Sequence, residues 1–213
     1  MKAAVGFLHA GEKSREATVN ALGRRRKETE AAHLVDPSLV DASASEFHID
    51  KTRYAAIRSR AETLAKEAER LVLTCSVYNG VAGWLSEDLG VRVDRSDAAG
   101  VRALLRTEGP IGVLVSYPPT RPVVVDYISE ILAQAEQQRE IRSSVAEDAP
   151  PFSTADEDYE KALVQAVQPL RDCGVLLVAQ YTMNAHLAAL RRAWNRGPMV
   201  SALDAMVDEL FAQ

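Results

Sequence analysis

The chain has 213 residues, 47% apolar and 26% charged, enough to bury a core as one domain or as two compact halves. A net charge of −5 gives no electrostatic reason to expect a nucleic-acid partner. Two cysteines are too few for a disulfide framework or a metal cage, and no apolar run approaches the ~20 residues of a membrane span.

The N-terminal Val5–Leu8 reads as a buried strand, too short for the apolar core of a signal peptide. The expected location is therefore cytoplasmic, with free thiols. A helix follows from about Ser14 to Lys27, with Ser14 as N-cap and the basic run Arg24–Lys27 in its last turn, where cations offset the helix dipole. A second strand near Ala31–Val35 breaks at Asp36-Pro37-Ser38. Ile57, Ala61, Leu64 and Ala68 recur at helical spacing within a helix over Arg53–Arg70. Leu71–Thr74 is the third strand, followed by a short helix to Leu89, a short strand Val91–Val93 and a helix over Ser96–Thr107. Ile111–Val115 restarts the pattern. A helix runs from Thr120 to Gln138, Arg142–Val145 is a weak strand, and Glu147–Pro151 is a loop. A helix over Thr154–Arg171, the strand Val175–Ala179 and helices over Ala185–Trp194 and Ser201–Phe211 complete the chain.

Strands alternating with amphipathic helices predict parallel sheets covered by helices. The second half repeats the first. Leu71–Asn79 matches Leu176–Asn184 at an offset of 105, and Val5–Leu8 matches Ile111–Leu114 at 106. The expected fold is α/β: two pseudo-symmetric flavodoxin-like halves, each a mostly parallel sheet flanked by helices. The first spans 1–95, completed by the C-terminal helix 201–213, and the second spans 96–200. Ligands of such sheets bind beyond the carboxyl ends of the strands, which predicts a site in a cleft between the halves.

Cys75 ends the third strand and precedes a Gly-containing turn into a helix, where backbone N–H groups and the helix dipole favour a thiolate. Such a thiolate acts as a base toward an acidic carbon or attacks an electrophilic one, and is expected to alkylate well below pH 8.5. A small buried hydrophobe is the bland alternative. Cys173, in a helix–strand turn at the opposite end of the sheet, reads as packing. Asp94 and Arg95 read as a local ion pair or a turn cap. His33, His48 and His186 show no metal-ligand spacing.

Leu71-Val72-Leu73-Thr74-Cys75-Ser76, its repeat at Val175–Met183 and the duplicated order of elements resemble the aspartate/glutamate racemase superfamily. That group includes amino-acid and hydantoin racemases, maleate isomerase and arylmalonate decarboxylase. The resemblance implies a cofactor-independent enzyme acting at a carbon next to a carboxylate, with a small carboxylate substrate and a homodimer as partners. Carried over by position, Cys75 matches the first-half catalytic cysteine, with Ser76 and Asn79 in the loop that holds a carboxylate. Ser116 falls in the first-strand loop of the second half and His9 in the matching loop of the first. Gln180 stands where a second cysteine belongs, followed by Tyr181 and Thr182. Two-base inversion needs a titrating group on each face of the substrate, and an amide supplies none. The resemblance therefore implies an isomerase or lyase with one thiol.

Two other readings stay open. One is a carboxylate-binding protein of the same fold without catalysis. The other starts from Gly6-Phe7-Leu8-His9-Ala10-Gly11-Glu12-Lys13-Ser14, which nearly spells a phosphate-binding loop, although Glu12 intrudes before the lysine.

Overall fold

The computed structural model describes residues 2–25, 30–40, 46–147 and 156–212. The chain forms two compact α/β units, Met1–Ser96 and Asp97–Gln213. In the first, β1 (Val5–His9), β2 (Ala31–Val35), β3 (Arg70–Leu73) and β4 (Arg92–Arg95) pair in parallel in the order β2-β1-β3-β4. In the second, β5 (Ile111–Val115), β6 (Ile141–Val145), β7 (Val175–Val178) and β8 (Met199–Ser201) repeat it as β6-β5-β7-β8. Strand β8 is absent from the sequence reading. Three residues after a proline carry too little alternation to stand out.

Strands buried on both faces explain the unbroken apolar runs. In the second unit, Ile111, Val113 and Val115 of β5 pack with Val175 and Leu177 of β7 on one face, beside α4 (Ala98–Leu104) and α5 (Thr120–Gln134). Leu114, Leu176 and Val178 point to the other face, among residues of α6 (Asp156–Val167) and α7 (Leu187–Trp194). The period of two along each strand thus feeds two cores at once.

Caps decide where the helices start. In the first unit, α1 (Glu12–Arg24) has Gly11 as its N-cap, three residues before the expected one, and Ser14 turns its hydroxyl back to the Gly11 carbonyl at 2.9 Å. Helix α2 (Lys51–Ala65) starts where the Asp50 carboxylate accepts from the Arg53 N–H, 2.8 Å away, an N-cap that the apolar spacing alone does not mark. Helix α3 (Ala82–Leu89) ends at left-handed Gly90 (φ 62°), and its counterpart α7 ends at left-handed Asn195 (φ 37°). The C-terminal helix α8 (Ala202–Phe211) packs against α4 inside the second unit, not in the first half where the sequence reading places it. Arg26 and Lys27 of the basic run, most of the Glu147–Pro151 loop and the expected start of α6 lie outside the described residues.

Candidate active site

The repeat is visible in the backbone itself. The Thr74 N–H donates to Leu8 O at 3.0 Å, and the Ala179 N–H donates to Leu114 O at 3.3 Å. The next residue in each case, Cys75 or Gln180, has extended backbone (φ −101°, ψ 116° and φ −110°, ψ 140°) and leads into a six-residue 3-10 turn. Both side chains are half-buried, between fully packed neighbours. Cys75 and Gln180 are therefore equivalent residues of two copies of one motif.

Cys75 is not set up as a thiolate. Burial pushes its pKa up to about 12, against a smaller opposing effect from the Val77 backbone N–H. The expectation of a depressed pKa is corrected here: the short 3-10 segment brings one N–H, that of Val77, toward the sulfur, and desolvation outweighs it. Asp36 stays ionised below its ordinary range because Ser38 and Arg60 hydrogen-bond its carboxylate, with the Arg60 Nε–Asp36 Oδ2 distance 2.5 Å. Tyr78, fully buried, is raised by burial first and then by Cys75 and Asp36. At neutral pH the group on offer is a protonated thiol, a proton donor.

Behind Cys75 lies a polar chain that no sequence motif announces. His9 is fully buried. Its Nδ1 lies 3.0 Å from Thr74 Oγ1 and 3.3 Å from Ser14 Oγ, and its Nε2 lies 3.0 Å from His33 Nδ1. Thr74 donates its hydroxyl proton to Leu8 O at 3.0 Å, and Ser14 donates to Gly11 O. With both hydroxyl protons committed, the oxygens accept, so Nδ1 of His9 carries the proton and Nε2 accepts from His33. Burial lowers the His9 pKa to about 3, with His33 and Arg15 adding to the shift, so the ring is neutral. Both ring nitrogens of His9 are thus engaged with protein, and the side chain stands behind the strand end.

The other expected site residues divide by burial. Ser76 is buried, and its Oγ has no hydrogen-bond partner among the described residues. Asn79 is buried with both ends of its amide engaged: Nδ2 donates to Ser96 Oγ at 2.9 Å, and Oδ1 accepts from the Ser96 N–H at 3.1 Å. The repeat ties the equivalent pair with the direction reversed: Ser201 Oγ donates to Asn184 Oδ1 at 2.6 Å, while Asn184 Nδ2 donates to Asp204 Oδ1 at 3.2 Å. In the second unit the Ser116 N–H donates to Gln180 Oε1 at 2.6 Å. Ser116 Oγ lies 2.8 Å from the Tyr159 hydroxyl, which lies 3.2 Å from Thr182 Oγ1. Tyr181 is buried, whereas Thr182 is half-buried. The counterpart of Ser116 in the first unit is Ala10, not His9, because His9 O accepts from Asp36 N as Val115 O accepts from Ala146 N. Tyr159, Ser14, Thr74 and His33 are the members that sequence reasoning missed. Extending the 105-residue offset to the helices pairs Tyr159 with Tyr54 and gives a first hint of one of them.

Two other expectations are settled by position. Cys173 is buried in the second unit's apolar cluster, and Asp94 pairs with Arg70 at 2.5 Å and with Arg92. The near phosphate loop fails on geometry. Gly6 lies inside β1, paired with both β2 and β3, and only Ala10 and Gly11 separate β1 from α1. Two residues cannot wrap a phosphate.

A scan against models of known protein families gives no match, and neither does a sequence search of curated proteins. The fold, however, has many solved relatives. It is similar to a glutamate racemase from Bacillus anthracis, with TM-score 0.78 and 15% identity over 99% of this chain and 80% of that one. A glutamate racemase from Francisella tularensis in complex with D-glutamate gives TM-score 0.74 and 13% identity over 99% and 80%. The aspartate racemase of Picrophilus torridus gives 0.69 and 13%, over 100% and 94%. All three are amino-acid racemases, from the group that the sequence resembles. At these identities the likeness establishes the fold.

Proposed function

We propose that the protein is a cofactor-independent isomerase or lyase acting on a small carboxylate through the single thiol of Cys75. The observation that supports this most is positional. Cys75 is the half-buried residue at the carboxyl end of an inner strand, repeated in kind by Gln180, in a fold shared with amino-acid racemases. Ligands of parallel α/β sheets bind at that end.

The protonation states suggest the direction of the chemistry. A neutral thiol delivers a proton to a carbanion-like carbon next to a carboxylate, and solvent then reprotonates the sulfur. Gln180 cannot titrate, so inversion by paired thiols is set aside in favour of protonation after decarboxylation or isomerisation through one cysteine. Ser76, whose buried hydroxyl has no partner among the described residues, is the proposed hydrogen-bonding partner of a ligand oxygen in the first unit. Asn79 is proposed to shape that loop through Ser96.

The test is turnover of small carboxylates by purified variants. Cys75→Ser is expected to lose turnover by at least about 1,000-fold with an unchanged melting temperature, and Cys173→Ser to retain it. Full activity in Cys75→Ser would end the proposal. Carboxylate binding without turnover in the parent protein would instead favour a binding protein of the same fold.

A further inference from the structure

We infer that Ser116 and Tyr159 are positioning residues that lock the Gln180 side chain with its N–H groups outward, so that the sheet end of the second unit is a donor subsite for a carboxylate or carbonyl oxygen. This rests on the carboxylate reading above and deepens it.

The orientation of a glutamine amide is ordinarily ambiguous, but here a backbone group settles it. The Ser116 N–H can only donate, so the Gln180 atom 2.6 Å away is the oxygen. Ser116 Oγ adds a second, longer bond to the same oxygen at 3.3 Å. Both lone pairs of Oε1 are then occupied. Having given its proton to Gln180, Ser116 Oγ accepts from Tyr159 at 2.8 Å, and the phenol is the more acidic donor of that pair. Tyr159 in turn accepts from Thr182 at 3.2 Å. Hydroxyl protons therefore run one way, Thr182 to Tyr159 to Ser116 to Gln180, and each bond polarises the next. Ser116 is fully buried and Tyr159 nearly so, which keeps water out of competition, and burial holds Tyr159 above its ordinary pKa as a permanent donor.

What remains of Gln180 is Nε2, with two N–H donors, no protein partner among the described residues and a half-exposed side chain. A cation finds no acceptor there, whereas a carboxylate or carbonyl oxygen finds a donor already aimed. Orienting the donor beforehand spares a ligand the entropy of ordering it. The device is peculiar to the second unit. Ala10 replaces Ser116 in the first, and Tyr54, the counterpart of Tyr159, donates to Asp88 at 2.8 Å instead.

Two measurements on the intact chain separate the orientation from the ligand. In the free protein, NMR is expected to show a scalar coupling across the hydrogen bond from the Ser116 amide nitrogen to the Gln180 side-chain carbonyl carbon. Tyr159→Phe is expected to weaken that coupling and shift the Ser116 amide proton upfield, effects that a purely packing role for Tyr159 would not produce. Absence of the coupling in the parent protein overturns the lock. Calorimetric titration with malonate then tests the donor. Gln180→Glu keeps an oxygen for Ser116 but removes both N–H groups, and is expected to weaken malonate at least about 30-fold, with Tyr159→Phe costing about fivefold. Equal malonate affinity in Gln180→Glu and the parent overturns the subsite while leaving the carboxylate reading intact. A parent protein that shows the coupling yet binds no malonate overturns the carboxylate reading, and the ligand half of this inference with it.

Discussion

Cys75 is the residue on which the functional reading turns, and its chemistry follows from where the strand leaves it. A thiol pushed up to about 12 has very little thiolate at neutral pH. At pH 8, alkylation of Cys75 by iodoacetamide is therefore expected to be slower in the folded chain than in urea, by a factor on the order of 100, read by peptide mass spectrometry. Rapid alkylation of the folded protein would show that the turn, not burial, sets the sulfur's charge. His9 has the opposite sign. Its folded pKa of about 3 lies below the ordinary 6.5, so the unfolded chain binds the extra proton first. The stability it contributes is complete above pH 6.5 and is lost as the pH falls toward 3. Melting temperature measured from pH 7 to pH 4 should fall more steeply in the parent than in His9→Asn, which keeps a donor for Thr74 without a titrating ring. Equal slopes would remove His9 from the account. None of this was legible from single residues. The sequence marks His9 and Cys75 as strand-end groups, but both pKa shifts come first from burial, which only the folded chain imposes.

Elements were legible where apolar periodicity is long and illegible where a side-chain cap or a backbone contact decides. Strands β1, β3, β5 and β7 stand out because both faces are buried. The starts of α1 and α2 do not, since Ser14 serves the His9 network and Asp50 caps in place of a residue nearer the apolar stripe. Close backbone packing is equally silent in sequence. Gly174, in the turn before β7, donates its N–H to Pro110 O at 2.8 Å. A methyl group there would meet the Glu108 carbonyl oxygen at 2.2 Å, a backbone atom that no side-chain rotation can move aside. Gly174→Ala is accordingly expected to cost about 1–3 kcal/mol in urea unfolding, with the slope of the transition unchanged. A cost near zero would show that the Glu108–Pro110 segment yields easily. The paired clamps Asn79–Ser96 and Asn184–Ser201 make the same point from the other side. The offset of 105 connects them, yet only the fold shows that each one fastens the turn after an inner strand to the carboxyl end of the next strand.

For the molecule as a whole, the duplicated spacing carried most of the fold: two α/β units, two parallel sheets and one strand order used twice. It misplaced the last helix, because an amphipathic helix at the chain end does not name the unit it covers. Solved racemase structures confirm the architecture, and no cysteine occupies position 180. One copy of the motif carries Cys75 and the other Gln180, so the repeat is not symmetric at that position. The most direct test is proton NMR of a panel of small carboxylates incubated with the protein in D2O. The account predicts deuterium incorporation or isomerisation at the carbon next to a carboxylate, abolished in Cys75→Ala. No change in any substrate with the parent protein, or unchanged exchange in Cys75→Ala, would contradict it.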